Sequence, residues 1–208
     1  MGRALTIFDK FIAGNFLVWA MVILFGYRWR HLEFHVYVLL VLLQAAGMFA
    51  VWGLLRRFAL PVWLLVLLEV AILMHLAGGS LFVQGTRLYD CYAVASLPLP
   101  SWLSQATRYD KLLHGYFAAV GLVGLRWLWP RLQLGPAGRP FAVVLMLLIV
   151  MGVCSLVEVT EYIGTKVVSL PEVGGYDNNL QDLLANLGGA LAAAGGVALR
   201  DRSVRAQP

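Results

Sequence analysis

Six stretches of this 208-residue chain are apolar for close to twenty residues at a time, at about 11–27, 35–55, 59–77, 112–129, 141–163 and 180–199. Each is bounded by Arg, Pro, Gly or a polar cluster. A hydrocarbon core of about 30 Å takes about 20 apolar residues per helical crossing, so every run is long enough to span a bilayer. Composition agrees: 61% of residues are hydrophobic and 13% charged, where soluble domains are roughly half apolar and a quarter charged. Mean hydropathy is +0.78. The expected fold is all-α: a polytopic membrane protein, a six-helix transmembrane bundle forming a single domain over residues 1–208.

The first run comes after Arg3 and Lys10 and so begins like a signal peptide. It leads into Gly26-Tyr27-Arg28-Trp29-Arg30 rather than a small-residue cleavage site, so it is expected to be retained as a helix. Extracytoplasmic loops are expected at 78–109 and 165–179, the first with a Ser96-Leu97-Pro98-Leu99-Pro100-Ser101-Trp102 stretch suited to an interfacial loop or short surface helix. Counting Lys and Arg on alternate sides of the six runs puts Arg3, Lys10, Arg56, Arg57, Arg126, Arg131, Arg139, Arg200, Arg202 and Arg205 with the termini, ten of the 16. Cytoplasmic loops carry such an excess, so both termini are expected to be cytoplasmic. The net charge of +5 comes from residues placed singly or in pairs at the ends of apolar runs, and nucleic acid is not implied as a partner. Cys91 and Cys154 read as unpaired, with Cys154 a small hydrophobe inside an apolar run.

The ionisable residues of the spans gather toward one face of the membrane. His75 closes the third run, Asp110 and His114 open the fourth, Glu158 and Glu161 end the fifth, and Asp182 and Asn186 open the sixth. Residues three or four apart share a helix face. Asp110 therefore goes with His114, Glu158 with Glu161, and Asp182 with Asn186, in two layers about 5–6 Å apart. Asp110, Asp182 and Glu161 form the outer layer, and His114, Asn186 and Glu158 the deeper one.

A lone intramembrane charge costs at least about 2.5–3.5 kcal/mol, so four carboxylates need a counter-charge. The candidates are a divalent metal, Lys111, Arg108, or protonation of some of the acids. Two histidines with carboxylates suit Zn, Mn or Fe, with Mg a further option. The expected metal ligands are His75, His114, Glu158, Glu161 and Asp182. The expected catalytic groups are Asp110, His114, Glu158, Glu161 and Asp182, with Asn186, Tyr162 and Lys111 as substrate contacts. Against this stand capping for Asp182 and helix–helix hydrogen bonding for Asn186. Glu69 and Gln44 lie at similar depth and are expected to bond each other, while His31 and His35 read as solvated loop residues.

Three motifs carry a family likeness: Arg108-Tyr109-Asp110-Lys111-Leu112-Leu113-His114-Gly115-Tyr116; Glu158 with Glu161-Tyr162; and Asp182-Leu183-Leu184-Ala185-Asn186-Leu187-Gly188-Gly189-Ala190. Together they resemble the VanZ-like membrane proteins and the related YjdF-type inner-membrane family. His75-Leu76-Ala77-Gly78-Gly79 looks closer to the YjdF-type group. The likeness runs from His75 to Gly189. It departs from VanZ in Glu161, where that family usually shows Gln. The resemblance implies a multi-pass protein of the inner (cytoplasmic) membrane. It implies little about chemistry, since VanZ is associated with glycopeptide resistance without an established reaction.

The residues support three readings. The first is a metal-dependent hydrolase or transferase acting on a lipid or lipid-linked envelope substrate at the outer leaflet. The second is a cation- or proton-coupled transporter, whose sites usually lie at the bilayer midplane rather than at one end. The third is a non-catalytic protein whose cluster recognises a lipid head group.

Overall fold

The computed structural model describes residues 6–30, 60–93, 105–132, 139–167 and 176–205, with single positions at 46, 49, 52, 53, 58, 100 and 103. Among these lie five α-helices: α1 (Ile7–Arg30), α2 (Val62–Ser80), α3 (Tyr109–Leu128), α4 (Arg139–Val167) and α5 (Tyr176–Arg205). The expected span at 35–55 falls outside the described residues, apart from helical positions 46, 49, 52 and 53. His31, His35, Gln44 and residues 96–99 also lie outside them.

The chain divides into two units, Met1–Glu69 and Val70–Pro208. In the first, Thr6 caps α1. The Asp9 amide donates to Thr6 Oγ1 at 3.2 Å and the Thr6 amide donates to Asp9 Oδ2 at 2.8 Å. This reciprocal pairing satisfies two donors that a helix start otherwise leaves open. Trp52 Nε1 donates to Asp9 Oδ1 at 2.5 Å. Glu69 accepts from Asn15 Nδ2 at 2.7 Å; its expected bond with Gln44 falls outside the described residues.

The second unit is built on α3, α4 and α5. Ala118 and Leu122 of α3, Val150 of α4, and Ala190 and Ala194 of α5 are buried together. Cys154, Leu147 and Ala193 pack around them. Both cysteines are free. Gly189 and Gly115 mark the tightest crossing: a Cβ at Gly189 would land on the Gly115 carbonyl. Small residues let two helix backbones meet this closely. The outward residues of α4 are large and apolar, with Phe141, Leu148, Leu156 and Val159 all exposed, as a lipid-facing surface requires.

The expected loop at 78–109 contains a small antiparallel hairpin, β1 (Phe82–Val83) with β2 (Thr86–Arg87), in which Val83 pairs with Thr86. Gln84 and Gly85 both have positive φ, 51° and 80°. Two such residues make the hairpin turn whose twist matches the strands. Backbone bonds from Tyr109 N to Cys91 O and from Ala93 N to Thr107 O, each 2.9 Å, then tie this segment to the start of α3. Helices α4 and α5 overrun the second expected loop from both sides: residues 165–167 and 176–179 are helical.

Candidate functional site

The polar residues continue the apolar seam. On α3, Asp110 and His114 precede Ala118 and Leu122 at intervals of four. On α5, Asp182 and Asn186 precede Ala190 and Ala194, and on α4 Glu158 follows Val150 and Cys154. Intervals of four keep residues on one helix face, so one packing seam carries apolar contacts along its length and ionisable groups at its end.

Lys111 lies at the centre of the outer layer. Its side chain is 1% exposed, and Nζ donates to Asp182 Oδ1 at 2.6 Å, Asn178 Oδ1 at 2.7 Å and Asp110 Oδ2 at 2.8 Å. An ammonium has three donors, and all three are used. Asn178 Nδ2 donates in turn to Asp182 Oδ2 at 2.7 Å. Lys111, expected as a candidate counter-charge and as a substrate contact, forms a buried bridge between α3 and α5.

His114 joins the layers. Its Nε2 lies 3.4 Å from Asp182 Oδ1 and 3.5 Å from Asp110 Oδ1. Its Nδ1 faces the other way, 3.4 Å from Glu158 Oε1 and 3.4 Å from Asn186 Nδ2. Glu158 and Asn186 are 4% and 2% exposed. Both Glu158 carboxylate oxygens are buried without a hydrogen bond among the described residues. Asn179 Nδ2 donates to the Glu158 backbone carbonyl at 3.3 Å, fixing this part of α4 to the start of α5.

One atom each from Asp110, His114 and Asp182 lies within 4.8 Å of the others, a spacing able to hold a metal ion. The expected ligands His75, Glu158 and Glu161 stand outside this set. Glu158 meets the opposite nitrogen of His114. Glu161, half-buried one turn farther on, is within electrostatic reach of His114, Asp182, Asp110 and Lys111.

His75 is engaged by Tyr89, whose hydroxyl lies 2.7 Å from Nδ1 and donates to the His75 carbonyl at 2.8 Å. Burial pushes the Tyr89 hydroxyl above its ordinary range, and the charges of Asp110 and Glu161 act in the same sense. It therefore stays a donor. Tyr109 donates to the Met74 carbonyl at 2.9 Å, joining the starts of the site on α2 and α3. Tyr162 is 57% exposed.

Asn178 and Tyr89 carried no signal as lone residues. Asn178 was nonetheless readable as the partner four residues before Asp182.

Among the described residues, three stretches, Tyr109–Arg131, Phe141–Ile163 and Tyr176–Arg200, are long and apolar enough to cross a bilayer, and the shorter Val62–His75 is also apolar. Together with the outward apolar face of α4, they define a membrane protein with a carboxylate–histidine cluster at one end of its helices. The chain belongs to the family described as predicted membrane protein (DUF2238), whose profile matches residues 12–202. No curated protein and no solved structure matches it.

Proposed function

We propose that this is a six-span inner-membrane protein with both termini in the cytoplasm, and that it binds a divalent metal at Asp110, His114 and Asp182 to act on a lipid or lipid-linked envelope substrate. The observation that carries the reading is the spacing around His114. Metal bonds of about 2.0–2.2 Å in a tetrahedral site put neighbouring ligand atoms about 3.3–3.6 Å apart. The 3.4 and 3.5 Å separations from Nε2 to the two carboxylates match those edges. Charge agrees. With a neutral imidazole and all four acids ionised, Asp110, Asp182, Glu158 and Glu161 outweigh Lys111 by three negative charges, an excess that a divalent cation would largely offset.

Asp110, His114 and Asp182 would hold the metal, which would supply a water of lowered pKa and polarise a phosphoryl or carbonyl oxygen. Glu161, within electrostatic reach of His114, Asp182 and Asp110, would be the base that takes a proton from that water. Lys111 holds both metal-facing aspartates in place. The position at the helix ends favours an enzyme over a midplane transporter.

A second reading rests on Lys111 itself: a pair of aspartates already bridged by an internal cation coheres without metal, as a non-catalytic head-group site would. One experiment separates the two. Protein purified without chelator is expected to carry close to one equivalent of metal by elemental analysis, and Asp182→Asn to lose it. If the wild type carries none, and added Zn, Mn or Mg leaves its thermal stability unchanged, the metal reading fails.

A further inference from the structure

Glu158 is buried deep in the seam, its two carboxylate oxygens lack hydrogen bonds among the described residues, and Oε1 lies 3.4 Å from His114 Nδ1. The opposite nitrogen of the same ring faces Asp110 and Asp182. We infer that Glu158 is the positioning residue of the centre: it accepts the Nδ1 proton of His114 and so turns the Nε2 lone pair toward Asp110 and Asp182. The inference rests on the metal reading and assigns Glu158 a role in it other than that of ligand.

Glu158 selects between the two tautomers of a neutral ring. A neutral imidazole has one N–H and one lone pair. If Nδ1 kept the lone pair, it would face the acceptor oxygens of Glu158, and Nε2 would carry the proton toward two aspartates, closed to a metal. With the proton on Nδ1, Glu158 gains a donor and Nε2 becomes a ligand. Asn186 Nδ2 lies 3.4 Å from Nδ1 and, as a donor, would suit a lone pair there. A proton on Nδ1 therefore requires the Asn186 amide to be turned over, which presents Oδ1 as a second acceptor for the same proton. Histidines that bind metals usually donate their other N–H to a carboxylate or carbonyl, which fixes the ring and raises its basicity. The Asn179 bond to the Glu158 backbone holds this acceptor in place from α5.

Glu158→Gln keeps the size of the side chain but replaces a pure acceptor with an amide that can also donate, so the ring is released to the other tautomer. The test measures Zn2+ affinity by chelator competition in detergent-purified full-length protein. In parallel, the 15N chemical shifts of His114 are read in the metal-free state, assigned by comparison with His114→Asn. The expected result is a Nδ1-protonated ring in the wild type, a shift toward Nε2 protonation in E158Q, and a 10- to 100-fold loss of Zn2+ affinity. Equal affinity and an unchanged tautomer in E158Q would overturn the inference. A tautomer shift in E158Q together with a wild type that takes up no Zn2+ overturns the metal reading and leaves the hold of Glu158 on the ring intact. Should E158Q not fold, the wild-type spectrum alone decides, because a neutral ring protonated at Nε2 rules the inference out.

Discussion

At the scale of single residues, Lys111 dominates the outer layer. Removing one member of a buried ion pair leaves the other charged and unpaired, at a cost of about 3–5 kcal/mol. Lys111→Met is therefore expected to lower the thermal unfolding midpoint sharply in detergent, and the double variant Lys111→Met, Asp182→Asn to recover much of the loss. A Lys111→Met protein as stable as the wild type would show that the bridge contributes nothing. Sequence spacing located Asp110, His114, Asp182, Asn186 and Glu158 because helix periodicity places residues three and four apart on one face. It offered Lys111 as one candidate counter-charge but not as a bridge from α3 to α5, because Lys111 is adjacent to Asp110, and neighbours in sequence do not share a face. Only the long, flexible lysine stem brings Nζ back between the two aspartates.

At the scale of helices, the crossing of α3 and α5 sets the geometry of the site, since Gly189 lies three residues beyond Asn186 and Gly115 one beyond His114. Gly189→Val should drive the two backbones apart and cost about 1–3 kcal/mol or more, with loss of bound metal. Gly188→Ala, whose added Cβ meets nothing within 4 Å, should lie within about 0.5 kcal/mol of wild type. Thermal unfolding with elemental analysis of the two variants checks both. The ends of α4 and α5 were harder to read, for a physical reason. An apolar run marks the thickness of hydrocarbon, whereas a helix continues as long as its polar side chains find partners. Asn178 and Asn179 find them, on Lys111 and on the Glu158 carbonyl, and carry α5 a full turn before its apolar run. The hairpin turn was hidden because Gln-Gly is not among the dipeptides that mark such turns.

At the scale of the whole chain, membrane residence was plain from run length and composition, and the apolar helices of the second unit agree with it. The proposed topology gives a direct test. In a background with Cys91→Ser and Cys154→Ala, a cysteine at Gln84 should react with a membrane-impermeant maleimide in intact cells. One at Arg205 should react only after lysis, and the reverse pattern would invert the orientation. The double use of Lys111 also bears on how the chain is made. Helix α3 is synthesised and enters the bilayer before any of α5 exists, so its lysine would meet lipid without Asp182 or Asn178. Asp110, on the same turn and 2.8 Å away, is already there to neutralise it, and the later arrival of α5 adds the remaining two bonds. The charge that joins the finished helices is thus escorted into the membrane by its own neighbour.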